Sequence, residues 1–166
     1  MEAVSLWFLS TFGWMEQSPV GQAVRTRPYL YPTLMSLHVL GIVVMLGPAL
    51  MVDLRLLGLG RRSISVTTTI RLLLPISHLG FAIVAITGSA MFTGLVYIIS
   101  KSAAAPWKFG LIALAAVNIL VFHKGVYRKV EWWDIDAVTP FGAKVAALIS
   151  MLSWTGVIFG GRFLSY

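Results

Sequence analysis

The sequence predicts an all-α fold: an integral membrane four-helix bundle with a short N-terminal interfacial helix. Three observations carry that expectation. First, 58% of the residues are hydrophobic and only 11% are charged, where a soluble domain of similar size carries about 25% charged residues. Second, four apolar runs, at about 30–54, 72–99, 108–127 and 144–164, are each near or above the ~20 residues that a helix needs to cross a bilayer. Third, the chain is strongly basic, with a net charge of +7, and its cations gather in the connections that flank those runs. In a chain this apolar they read as topology determinants facing lipid headgroups, and a nucleic-acid partner is not expected.

Residues 1–29 form the interfacial segment. The stretch "AVSLWFLSTFGWM" follows Glu2 rather than a basic region and is too short to span, so it reads neither as a signal peptide nor as a crossing helix. Trp7, Phe8, Phe12 and Trp14 suit the headgroup level, which predicts a helix over 3–15 lying on the membrane. In "SPVGQAVR", Ser18 is placed as an N-cap and Pro19 at the first helical position of a second short helix.

Residues 30–166 form the transmembrane domain, in which no internal repeat is visible. In the first span, Pro48 interrupts a helical hydrogen bond and predicts a kink. Asp53 stands near the end of that span, where a lone carboxylate is costly. It is expected in a structural ion pair with Arg55 or Arg71; a proton or ion ligand is the alternative. The second span carries Ala82, Ala85 and Ser89 on one stripe, and the fourth carries Ala143, Ala146, Ser150 and Ser153. Such stripes let helix backbones approach closely in lipid. A flat cofactor between helices needs small neighbours too, so the stripes do not separate the two cases. Asn118, near the middle of the third span, is expected to bond across helices. "EWWD", in the connection to the fourth span, reads as a membrane-surface anchor.

Orientation follows the basic residues. Arg55, Arg61, Arg62 and Arg71 cluster after the first span, and Lys124, Arg128, Lys129 and Lys144 after the third. Arg25, Arg27, Lys101, Lys108 and Arg162 lie toward the other side. The bias places both termini outside, on the side away from the cytoplasm.

The three histidines are the main functional clue. His38, in "LHVLG", falls about 7 Å to the outer side of the centre of the first span at 1.5 Å per residue. His78, in "SHLG", falls about 10 Å to the inner side in the second span, and His123, in "VFHKG", about 7 Å to the inner side in the third. His78 and His123 therefore lie at similar depth on neighbouring helices, on apolar faces without a carboxylate. Two imidazoles across an apolar slot can ligate a haem iron axially. Arg71, Lys124 and Arg128 are placed to meet the propionates. Zinc or copper at that level would need further ligands that the spans do not supply. His38 belongs to an outer level, as part of a second haem site with Arg162 at a propionate, as a quinone contact, or as an outer copper site with Met35 and Met91. The plain alternative for each histidine is a hydrogen bond to a neighbouring helix, and for each methionine, apolar filling.

Several templates are absent. There is no cysteine, which excludes disulfides and thiolate metal sites. No serine–histidine–carboxylate grouping marks a hydrolase. "GLGRRS" lacks the spacing and the lysine of a phosphate loop.

The words "YPTLMSLHVLGIVVMLGPALMVDLRLLGLG", "NILVFH" and "SWTGVIFGGRFLSY" resemble a family of small four-span bacterial inner-membrane proteins, over most of the chain from Ser18 onward. That family has no established activity to carry over; the resemblance implies four helices and a bacterial inner membrane, with "LHVLG" and "VFH" closer to its pattern than "SHLG". More distantly the plan resembles b-type membrane cytochromes and copper-resistance membrane proteins. The leading expectation is a haem-b-binding protein that passes electrons, as a small cytochrome or as the membrane subunit of a dehydrogenase, with a redox partner subunit or quinone beside it and the redox chemistry supplied by the cofactor. A transporter or copper-handling protein, and a cofactor-free structural membrane partner, are the rival readings.

Overall fold

The computed structural model describes residues 2–163. Among them there is no strand. In chain order the helices are α1 (Glu2–Phe12), α2 (Pro19–Thr26), α3 (Leu30–Leu57), α4 (Val66–Gly94), the short α5 (Val96–Lys101), α6 (Ala104–Lys124) and α7 (Phe141–Arg162). Two 3-10 stretches, Gly13–Gln17 and Val126–Trp132, complete the chain path. The helices α3, α4, α6 and α7 are each long and apolar enough to cross a membrane, with mean hydropathy of 2.1, 1.8, 1.7 and 1.5 over their most apolar windows. The chain is a multi-pass membrane protein with an all-α fold.

The four spans fall where the apolar runs predict, with different ends. The second begins at Val66 rather than at residue 72, and it stops at Gly94 rather than 99. The polar "SVTTT" stretch joins the helix because its first N–H groups are capped. Ser65 Oγ accepts from Thr68 N at 3.0 Å, and Asp134 Oδ1, from the connection before α7, accepts from Thr67 N at 2.7 Å. The first span runs on to Leu57 and stops at Gly58, whose φ of +110° is a left-handed conformation that a glycine adopts without strain. Pro48 stands inside α3 as read from sequence, and α4 contains a second internal proline, Pro75. The fourth span ends at Arg162; its expected end at residue 164 lies outside the described residues.

The packing is strongest within two helical hairpins. In the first, Gly80 of α4 lies against the backbone of Met45 in α3, so closely that an added Cβ would strike Met45 N. Ser77 Oγ donates to Met45 O at 2.8 Å beside it, and Gly41 meets Ile83 one step along. In the second hairpin, Leu111 of α6 fills the space over Gly156 of α7, and Asn118 Nδ2 donates to Ala146 O at 2.8 Å, the cross-helix bond expected of Asn118. α3 and α7 join the hairpins.

The end of the bundle near the N-terminus, here the proximal end, is closed by the first thirty residues. Ser18 caps α2 through Gly21 N at 3.1 Å, with Pro19 at the first position, as predicted. Glu16 Oε1 accepts from Tyr97 N at 2.7 Å at the start of α5, and its Oε2 pairs with Arg25 at 3.0 Å. Phe8 and Phe12 of α1 both meet Phe92 of α4 edge to face at 5.9 Å. The aromatic residues of the first segment are therefore partly bound to the bundle, while Trp7 and Trp14 are exposed.

The opposite, distal end holds the largest apolar core. Val52, Leu56, Val66, Ile70, Phe122, Ala143 and Ala147 pack around Trp133. This corrects the reading of "EWWD" as a surface anchor: Trp132 is 85% exposed, but Trp133 is only 4% exposed. Neighbouring residues of an irregular segment point in different directions, and one of the two indoles plugs the distal end.

Candidate functional site

α4 packs on α3 and α6 packs on α7, and the backbones of α4 and α6 come together little along their length. At the proximal end they meet through Phe92 and Phe109, whose rings pack edge to face at 6.1 Å. That contact fixes a register. His78 is fourteen residues from Phe92 along α4, and His123 is fourteen residues from Phe109 along α6. Fourteen residues are just under four turns and about 21 Å. Each histidine thus shares a helix face with its phenylalanine, within about 40°, and lies about 21 Å from that contact toward the distal end, counted along its own helix. Between phenylalanine and histidine the residues on these helix faces are small or aliphatic: Ala82, Ala85 and Ser89 on α4, and Ala113, Ala116 and Leu120 on α6. All six are exposed. The small stripe of α4 is therefore not the one that packs on α3. That contact uses the opposite side, with Ser77, Gly80, Thr87 and Met91 buried.

The two imidazoles differ in how they are held. His78 is exposed and makes no hydrogen bond among the described residues. His123 is half-buried, and its Nδ1 lies 2.9 Å from Ile119 O on its own helix. A carbonyl oxygen only accepts, so Nδ1 carries the proton and Nε2 of the neutral ring presents a lone pair. Phe122 and Tyr127 pack against the ring at centroid distances of 5.3 and 5.5 Å and fix its plane. The cations expected near propionate level, Arg71, Lys124 and Arg128, are all exposed. Arg71 is two turns from His78 on the same side of α4.

His38 is elsewhere. It is on α3, half-buried, with Nδ1 2.9 Å from Thr87 Oγ1. The Thr87 hydroxyl spends its proton on Ile83 O at 2.6 Å, so it must accept from His38 Nδ1–H. Gly88 leaves room for the ring: a Cβ there would stand 3.0 Å from His38 Cε1. Its Nε2, like that of His123, is left with the lone pair. Of the outer methionines, Met91 is buried one turn beyond Thr87 on the side of α4 that faces α3, but Met35 is 38% exposed. Arg162 is exposed at the end of α7. No group of three or more histidine or carboxylate side chains is close enough to hold a metal ion among the described residues; a haem iron with two axial ligands needs no such group.

Asp53 does not take the role expected of it. It forms no ion pair with Arg55 or Arg71 among the described residues. Arg55 turns the other way, where Nε donates to Ile64 O at 2.5 Å and Nη2 to Asp134 O at 2.8 Å. Arg71 is exposed. Two residues are about 200° apart around a helix, so Asp53 and Arg55 cannot share a face. Asp53 instead lies toward α7, beside the Ser150 hydroxyl.

Sequence reasoning missed Thr87 and Gly88, which orient and accommodate His38, and it gave no role to Phe92 and Phe109. "ITGSA" carried a signal, since a threonine followed by glycine inside an apolar run marks a close or polar contact. The phenylalanines carried none, because nothing in one helix tells which of its aromatic residues meets another. No known protein family, curated protein or solved structure matches the chain.

Proposed function

We propose that this chain is a haem b-binding protein of a bacterial inner membrane, in which His78 of α4 and His123 of α6 would hold the haem iron through their Nε2 atoms. The observation that carries the reading is the shared register: one phenylalanine contact, and a histidine fourteen residues along each partner helix. The residues present fit the group. His123 has the proton on Nδ1, given to Ile119 O, and the lone pair on Nε2, the arrangement usual for a ligating histidine. His78 has no competing bond. Alanines and a serine lie on the same helix faces, and exposed cations stand toward the distal rim for the propionates.

Bound there, the haem would supply one-electron chemistry. The chain would supply the rest: two nitrogen ligands, an apolar slot that excludes water from the iron, and cations whose charge favours the propionates. The role is electron transfer, as a small cytochrome or as the membrane subunit of a dehydrogenase, with a redox protein or a quinone as partner.

The test is optical. The protein purified from cells supplied with a haem precursor should show sharp Soret and α bands on dithionite reduction. His78→Ala and His123→Ala should each abolish these bands or convert them to the high-spin form, because one axial position is lost. His38→Ala should spare them, since His38 is bound to Thr87 on another surface of α4. A colourless protein would remove the haem reading. Bands lost with His38→Ala and His123→Ala, but kept with His78→Ala, would move the ligand pair to the α3–α6 side.

A further inference from the structure

A second feature lies on the other side of the bundle and owes nothing to the haem reading. Asp53 is four residues from the last residue of α3, about 6 Å from the distal end of the helix. It is only 6% exposed, and its Oδ2 has no hydrogen-bond partner. The groups around it are neutral or engaged elsewhere. On its own helix, Arg55 is bound to the carbonyls of Ile64 and Asp134. On α7, the Ser150 hydroxyl lies beside it, and one turn further along Ser153 is 1% exposed with an Oγ that has no hydrogen-bond partner. A carboxylate buried without a counter-charge is among the most costly groups a protein interior can hold. A carboxylic acid at the same place is far cheaper, and its O–H gives the pocket a donor.

We infer that Asp53, at the contact of α3 with α7, is a proton-binding site: the buried carboxyl takes up one proton from the aqueous phase at the distal end and holds it as a neutral acid against α7. The uptake is carboxylate plus proton to carboxylic acid, with no other reactant. A metal cation fits less well. It would ask for a shell of several oxygens, and beside the carboxyl there is the one hydroxyl of Ser150. When the proton leaves, an uncompensated negative charge stands in the contact between α3 and α7, so the site links the protonation state to that contact.

Infrared spectroscopy and a hydrophobic carbodiimide test this on the full chain in detergent. The wild-type protein at neutral pH should show the carbonyl band of a protonated carboxylic acid in an apolar setting, shifted in heavy water and absent from Asp53→Asn. The carbodiimide reacts with a protonated carboxyl: the proton passes to a carbodiimide nitrogen, the oxygen bonds to the central carbon, and rearrangement leaves a stable N-acylurea with nothing expelled. One adduct should appear on the peptide that contains Asp53, decline as pH rises, and be unaffected by sodium chloride. Protection by sodium at constant ionic strength would replace the proton with a cation. Loss of the acid band from the wild type at neutral pH, with carboxylate bands in its place, would overturn the inference. Neither measurement depends on bound haem, so the site and the haem reading stand or fall separately.

Discussion

Arg55 and Asp53 differ in position by two residues and have opposite fates. Arg55 is 4% exposed and ties together three pieces of chain: α3, the loop before α4 at Ile64, and the connection before α7 at Asp134. Hydrogen bonds to a charged donor contribute about 1.5–3 kcal/mol each, and buried carbonyls left without one add to the loss. Arg55→Met should therefore destabilise the protein by roughly 3–5 kcal/mol, read as a fall of several degrees or more in melting temperature in detergent. Asp53→Asn should change melting little at neutral pH, because the amide matches a protonated carboxyl in shape and charge. A large drop for Asp53→Asn with a small one for Arg55→Met would mean that the carboxylate, and not the guanidinium, holds the distal end. That Asp53 needed special treatment was legible in the sequence, since an acid in an apolar run is conspicuous. Its neighbour was not. The choice between Arg55 beside it and Ser150 almost a hundred residues away is made by the direction of one face of α3.

At the scale of elements, composition and length dictate that four helices form, and the apolar runs mark them well. The ends were harder to read. α4 begins six residues before the apolar run does, because its cap comes partly from Asp134, a residue seventy positions away in sequence. Which face of a helix packs on which neighbour was least legible, because every face of a membrane helix is apolar. The stripe Ala82, Ala85, Ser89 looks like a packing surface, yet the contact of α4 with α3 uses Ser77, Gly80, Thr87 and Met91. Gly80 decides this. With no Cβ it lets the two backbones touch, and the rotation so imposed turns His78 away from α3, where it is exposed. Gly80→Ala should force the hairpin apart or off register at a cost of about 1–3 kcal/mol for overpacking. It should also weaken haem binding by the protein if His78 is a ligand, since His78 would rotate with α4. Ala82→Gly, on the exposed face, is the control and should leave the α3–α4 contact intact. Equal melting temperatures for Gly80→Ala and wild type would show that the close approach is not required.

For the whole molecule, the two ends are unlike. The proximal end is covered by α1 and α2, an aromatic cluster and the Glu16–Arg25 pair. The distal end is plugged by Trp133 and rimmed by Arg61, Arg62, Lys124, Arg128, Lys129 and Lys144. Cations are retained on the cytoplasmic side of short connections, and the two connections concerned, between α3 and α4 and between α6 and α7, are both short. The distal end should therefore face the cytoplasm and the proximal end the periplasm. Reporter fusions after Arg62 and after Trp133 should report the cytoplasm, and fusions after Ser102 and at Tyr166 the periplasm. This orientation gives the two sites a common side. The histidine level of α4 and α6 and the Asp53 pocket both lie toward the distal end, so electron and proton would enter from the cytoplasm, on opposite faces of one bundle. Reversed reporters would turn both sites to the periplasm together, because the helical register that relates them is fixed by Gly80, Phe92 and Phe109 and does not depend on which way the bundle is inserted.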